Sequence, residues 1–160
     1  MATEKWIAGS GQGLTWGIAF TAASTLNNSI PTGNSIASDL SLTNASALDI
    51  FCDLSISLNT ITPIAPNYVG VYLLPLNQDG TTYGDNKIAN SSTGTAGTPG
   101  STYAVGTINV TTSAAVQVGT LSRIILPPGG FRFCLYNNTG VTWSASANVC
   151  QYRTYNRSIA

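Results

Sequence analysis

The sequence predicts an all-β protein, a two-sheet antiparallel β-sandwich of jelly-roll type, from three observations. Apolar side chains recur at every second residue over long stretches, as in "ALDIFCDLSISLN" from residue 47 to 59. Turn tokens rich in Gly, Pro and Asn separate those stretches at near-regular spacing: "IPTGN", "NQDG", "PPGG" and "NNTG". Helix signals are nearly absent, because few segments place apolar residues three and four apart and Glu, Lys and Gln are scarce.

Taken in chain order, residues 1–13 ("MATEKWIAGSGQG") are rich in small residues. They read either as an N-terminal arm with Trp6 as an anchor into a neighbour, or as a loose start before the first strand. "GLTWGIAF" aligns Leu14, Trp16, Ile18 and Phe20, and "SIASDLSLTN" aligns Ile36, Leu40 and Leu42. In "ALDIFCDLSISLN", Leu48, Ile50, Cys52, Leu54, Ile56 and Leu58 share one face. Asp49, Phe51, Asp53, Ser55 and Ser57 share the other, as expected of a half-buried strand with one wet face. "NYVGVYLLPL" is apolar on both faces and predicts a central strand ending near Pro75.

Residues 89–102 ("ANSSTGTAGTPGST") break the rhythm and predict a long flexible loop, or a contact arm that orders on a neighbouring subunit. "YAVGTINV", "AAVQVGTL" and "SRIIL" then resume the strand pattern. Pro127 and Pro128 stop the incoming strand, and Gly129 and Gly130 allow the chain to reverse. Beyond that corner Phe131, Phe133 and Leu135 make a core face, with Arg132, Cys134 and Tyr136 opposite. If "NNTG" turns the chain into "NVCQYRTYN" as a terminal hairpin centred near Thr142, Cys134 faces Cys150 and Arg132 faces Tyr152.

The 160 residues are expected to form one domain spanning 1–160. Histidine is absent, the formal charge is zero, and only 8% of residues are charged, while Ser, Thr and Asn make up roughly a third of the chain. Six scattered Lys and Arg residues do not make the basic patch that nucleic acid requires, so that partner is set aside. The first residues do not resemble a secretory leader and no stretch is apolar enough to span a bilayer. The expectation is a protein made in a cytoplasm, with no membrane partner.

Chemistry is hard to assemble from this inventory. Triads and Cys–His pairs need a histidine. Asp49 and Asp53 are expected on one wet strand face about 13 Å apart, beyond the spacing of a glycosidase pair, and simply solvated. Asn77, Asp79 and Asp85 surround a turn but lack the spacing of a calcium loop. "GSGQG" lacks the lysine and following helix of a phosphate loop. The three cysteines include no Cys-x-x-Cys pair. The sequence therefore predicts no catalytic residue, no cofactor and no metal site. Cys52 is expected in the core. A Cys134–Cys150 disulfide is the one candidate covalent link, although direct cross-strand bridges are geometrically demanding and a reducing cytoplasm opposes them. Trp6, Trp16, Trp143, Tyr68, Tyr72, Tyr152 and Tyr155 read either as a sugar-stacking platform or as core and interface.

"NYVGVYLLPLNQDGTTYGD", the "LPPGG" corner, the "NNTGV" turn and the closing "YRTYN" together resemble small structural proteins of tailed-bacteriophage particles. The resemblance covers the second half of the chain well and residues 47 to 59 loosely. It implies a virion protein made in the bacterial host, specifically a capsid decoration (cement) protein. Such a protein would bind the major capsid protein or other virion proteins as a small homo-oligomer such as a trimer. It brings no catalytic residue with it. Two alternatives stay open: a tail, neck or fibre-attachment component, and a carbohydrate-binding β-sandwich module.

Overall fold

The computed structural model describes residues 4–8, 17–22, 41–43, 49–64, 67–84, 101–143 and 148–159, with side chains at 49–64, 67–84, 101–143 and 148–156. Nine strands are described: β1 (Glu4–Ala8), β2 (Gly17–Ala22), β3 (Ser41–Thr43), β4 (Phe51–Ile61), β5 (Tyr68–Pro75), β6 (Ala104–Asn109), β7 (Ala115–Ile125), β8 (Gly130–Asn138) and β9 (Asn148–Ile159). The only helix among the described residues is a single 3-10 turn at Ser101–Tyr103. The protein is all-β.

The strands form two antiparallel sheets. One runs β1-β9-β4-β7, with β2 also pairing β9, and the other runs β3-β8-β5-β6. Three strands of each sheet carry described side chains: β9, β4 and β7 in the first, β8, β5 and β6 in the second. Four of the pairings nest inside one another: β5 with β6, β4 with β7, β3 with β8, and β2 with β9.

Alternation decides what each sheet buries. Cys52, Leu54, Ile56 and Leu58 of β4 point inward together with Cys150 of β9 and Ile124 of β7. From the second sheet come Val69, Val71 and Leu73 of β5, Ile108 of β6, and Phe131, Phe133 and Leu135 of β8. These side chains form one continuous core, and each fully buried Leu, Ile or Phe contributes about 1.5–3 kcal/mol. Phe131 and Phe133 meet edge to face, their ring centres 5.7 Å apart.

The connections are held by side chains. Gln117, buried at the start of β7, accepts from Thr111 N at 2.9 Å and donates to Ser113 O, tying off the turn after β6. At the proline corner Gly129 takes φ 91°, which an L side chain rarely adopts. Gly130 serves close approach instead, since a Cβ there would stand 2.8 Å from Leu76 Cδ2. In "NNTG", the buried Asn137 amide accepts from Thr139 N and Thr139 Oγ1 and donates to Val141 O, building the turn internally.

The structure corrects several sequence expectations. β8 and β9 are not a hairpin: β8 pairs β3 and β5, whereas β9 pairs β1, β2 and β4. The two strands stand in different sheets, and both contribute side chains to the same core. Cys134 therefore lies opposite Tyr72, and Cys150 opposite Ile56, and Arg132 does not face Tyr152. "AAVQVGTL" and "SRIIL" run together as β7, bulged near Arg123, which has φ 61°. Ile50 precedes β4 and is exposed, while Asp49 and Asp53 are buried rather than solvated. Part of the 1–13 segment is strand β1, paired to the far end of β9. Leu14, Trp16, Ile36, Leu40, Leu48 and Asp85, and residues 89–100 of the loop expected at 89–102, lie outside the described residues, while Ser101 and Thr102 belong to the 3-10 turn.

Candidate functional site

The outer face of the second sheet gathers tyrosines. Along β5, Tyr68, Gly70, Tyr72 and Leu74 point away from the core. Along β8 the same side carries Arg132, Cys134, Tyr136 and Asn138. The register sets Tyr72 opposite Cys134 and Gly70 opposite Tyr136. The absent side chain at Gly70 leaves room for the ring beside it: a Cβ there would lie 3.3 Å from Tyr136 Cβ and 3.5 Å from Tyr72 Cε2. Leu74 and Cys134 form the buried floor, and Tyr72, Tyr83, Tyr103 and Tyr136 pack around them, each half-exposed.

Two connections bring in the outlying rings. Tyr103 arrives on the 3-10 turn that leads into β6. Tyr83 arrives through the loop after β5, where a bridge pairs it with Leu76. Asp79 shapes that loop by accepting from Thr81 N and Thr82 N, both at 2.8 Å, and from the Thr82 hydroxyl. These bonds hold Asp79 down at about 2. Asn77 closes the loop by donating to Gly84 O and Thr82 Oγ1. Asn77 and Asp79 thus build the turn, with the Asn77 Nδ2 and both Asp79 carboxylate oxygens engaged within it. The Arg132 guanidinium caps Tyr83, 4.2 Å above the ring centre. Burial, and then the neighbouring hydroxyls of Tyr136 and Tyr68, raise the Tyr72 phenol above its ordinary value. The result is a face of aromatic rings with polar tips and one guanidinium set over Tyr83, the chemistry that favours recognition surfaces.

The second polar cluster lies on the outer face of the first sheet and is centred on Asp53. Oδ1 accepts from Arg123 N at 2.9 Å and from the Tyr155 hydroxyl at 2.8 Å. Oδ2 accepts from Arg153 Nε at 3.0 Å and Nη2 at 2.9 Å. Burial alone would raise the Asp53 carboxyl. The hydrogen bonds from Arg123, Tyr155 and Arg153, with the Arg153 charge, outweigh it and leave the group below the ordinary carboxylate value. Tyr155 moves the other way, up to about 12, through burial and its donation to the carboxylate. Asp49 accepts from Asn156 Nδ2 at 2.9 Å. A carboxylate engaged by four donors is a fixed structural charge that pins β4, β7 and β9 together.

The aromatic residues singled out in the sequence are thus divided by the structure. Tyr68 and Tyr72 belong to the tyrosine face. Trp143 does not: it is 1% exposed and sits in the core, its Nε1 meeting no acceptor among the described residues. Tyr155 is buried beside Asp53 and stacks on Phe51 at 5.8 Å, and Tyr152 packs against the core. Trp16 lies outside the described residues, and of Trp6 only the backbone is described. Tyr83, Tyr103 and Tyr136 had no periodic signal linking them to Tyr72, because they come from a loop, a turn and another strand.

All three cysteines are buried thiols. Cys134 belongs to the outer tyrosine cluster and Cys150 to the core of the other sheet, so the candidate bridge between them is absent. Burial, with the Asp53 charge, raises the Cys52 thiol to about 12, and burial drives Cys150 upward as well. No group of three or more His, Cys, Asp or Glu among the described residues could hold a metal ion. No helix among the described residues is long and apolar enough to cross a membrane. No protein-family model, curated protein or solved structure matches the chain.

Proposed function

We propose that this chain is a non-enzymatic structural protein of a tailed-bacteriophage virion, a capsid decoration protein that binds the head lattice as a small homo-oligomer. The observation that carries the reading is the tyrosine face. Five of the chain's seven tyrosines gather on the outer side of one sheet, three from its strands and two from the loop and turn beside it, and the charged cluster on the other sheet is committed to holding strands. Such a surface offers apolar contact area and hydrogen-bonding tips to a protein neighbour.

We further read the fold as a jelly-roll sandwich. Four nested antiparallel pairs are what a long two-stranded ribbon gives when it rolls up on itself, with β4–β9 and β5–β8 pairing where the ribbon meets its own turns. Viral capsid domains are among the proteins built this way. On this reading the partners are the major capsid protein and further copies of the chain, in a particle assembled in the bacterial host.

The test is co-sedimentation of the purified protein with heads from the same phage, comparing wild type with a Tyr72→Ser, Tyr136→Ser double variant. The reading expects wild-type protein to travel with heads, and the variant, while folded, to lose occupancy by about tenfold or more, as for removal of central interface aromatics. Wild-type protein that stays at the top of the gradient would sink it.

The same tyrosine row supports a second reading, a carbohydrate-binding module that stacks sugar rings. Jelly rolls also serve as lectins. A glycan array separates the two: saturable binding to a neutral glycan, lost in the double variant, favours the second reading.

A further inference from the structure

The two sheets do not treat their shared side alike. β6, the outer strand of the second sheet, has six residues and a register break where it meets Tyr72. A short, irregular edge of that kind discourages pairing. β7, the outer strand of the first sheet, has eleven residues, and among the described residues it pairs on one side only, with β4.

Its first seven residues, Ala115 to Leu121 ("AVQVGTL"), are extended and carry no charge and no proline; the ladder to β4 shifts register between Gln117 and Ala115, with the extra residue on β4 and not on β7. The bulge at Arg123 closes this stretch off from Ile124 and Ile125. The inward side chains are engaged: Gln117 binds the preceding turn, and Gly119 and Leu121 pack against β6. The outward side carries Val116 at 54% and Val118 at 66% exposure, next to a backbone edge that natural sheets ordinarily protect with lysine, proline or a bulge.

We propose that this edge is the interface between two copies of the chain, β7 pairing antiparallel with β7 of a second copy about a two-fold axis at Val118. Three features favour a second copy as the occupant. Val118 is the midpoint of this uncharged stretch, so antiparallel pairing centred there sets it beside its own counterpart, apolar against apolar, and Val116 beside Thr120. The segment is uncharged and the chain has zero net charge, so nothing repels an identical copy. Seven opposed residue pairs give about seven backbone hydrogen bonds, within the range that specific interfaces carry. The two first sheets then become one sheet running through both subunits, leaving both tyrosine faces uncovered. The inference rests on the homo-oligomer part of the proposed function and replaces the three-fold arrangement that the sequence resemblance implies with a two-fold one.

The test uses native mass spectrometry and sedimentation on the full chain and on Val118→Lys and Val118→Glu variants, with circular dichroism as the check on folding. The wild type is expected to be a dimer. Each charged variant alone, placing like charges directly opposite, is expected to dissociate at least about tenfold more readily. An equimolar mixture of the two should restore a mixed dimer, which a merely misfolded variant cannot do. Should either variant fail to fold, Val118→Cys treated with a short bismaleimide reads the same geometry, with cross-linked dimer expected. A trimer, a dimer indifferent to both charges, or no cross-link would overturn the edge pairing and leave a homo-oligomer standing. A monomeric wild type would overturn both.

Discussion

Asp53 and Arg153 stand directly opposite each other on β4 and β9, and the guanidinium closes on one carboxylate oxygen from Nε at 3.0 Å and Nη2 at 2.9 Å. The other oxygen takes Tyr155 and the backbone of Arg123, so one carboxylate holds three strands. Replacing Asp53 with Asn removes the Arg153–Asp53 ion pair from a largely buried site. The expected cost is about 3 kcal/mol, at the lower end for a broken buried pair because Arg153 is part-exposed. Chemical denaturation of the wild type and D53N measures it.

The same carboxyl sets the acid limit. Its folded value lies below the 3.8 of the unfolded chain, so the unfolded state binds more protons in that interval. The stability it supplies is complete above about pH 4 and is lost as pH falls through the folded value, with Asp79, held at about 2, adding to the same limb. At the alkaline end Tyr155 is raised from 10.0 to about 12, so its contribution is full below pH 10 and fades above it. Denaturation midpoints recorded against pH should form a plateau between these limits, and D53N should flatten the acid limb.

The thiols are expected to be silent. The intact mass should not change on reduction, and a thiol reagent should label the folded protein slowly and all three cysteines once it is denatured, since each is buried. A mass gain of two hydrogens on reduction, with peptide mapping that joins Cys134 to Cys150, would contradict their separation.

Gly119 reports on how closely the two sheets approach. A Cβ at this position would lie 2.1 Å from Ile108 Cγ2 on β6, so Gly119→Ala overpacks the core. The expected loss is about 1–3 kcal/mol. Ile108→Leu removes the branched methyl at that point, so combining the two should recover part of the loss. Calorimetry of the single and double variants checks this.

Much of the fold was legible because alternation is a local signal. The core positions Cys52, Leu54, Ile56 and Leu58, and Phe131, Phe133 and Leu135, can be read from their spacing, as can the stop at Pro75. What could not be read is which strand neighbours which. Proximity in sequence suggested that β8 and β9 form a hairpin, and only their long-range partners, β3 and β5 for one and β1, β2 and β4 for the other, separate them. The same missing information hid the Asp53 cluster: a carboxylate on an outward face looks solvated until Arg153 and Tyr155, about a hundred residues later, are placed beside it. The tyrosine face was half visible, through Tyr68 and Tyr72 on one strand. Tyr83, Tyr103 and Tyr136 join it only through pairing.

The most direct measurement of the central claim is quantitative mass spectrometry of gradient-purified virions. A decoration protein docked through its tyrosine face predicts many copies per particle, on a scale comparable with the major capsid protein. Finding the chain only in the infected-cell lysate, and not in the particles, would contradict it.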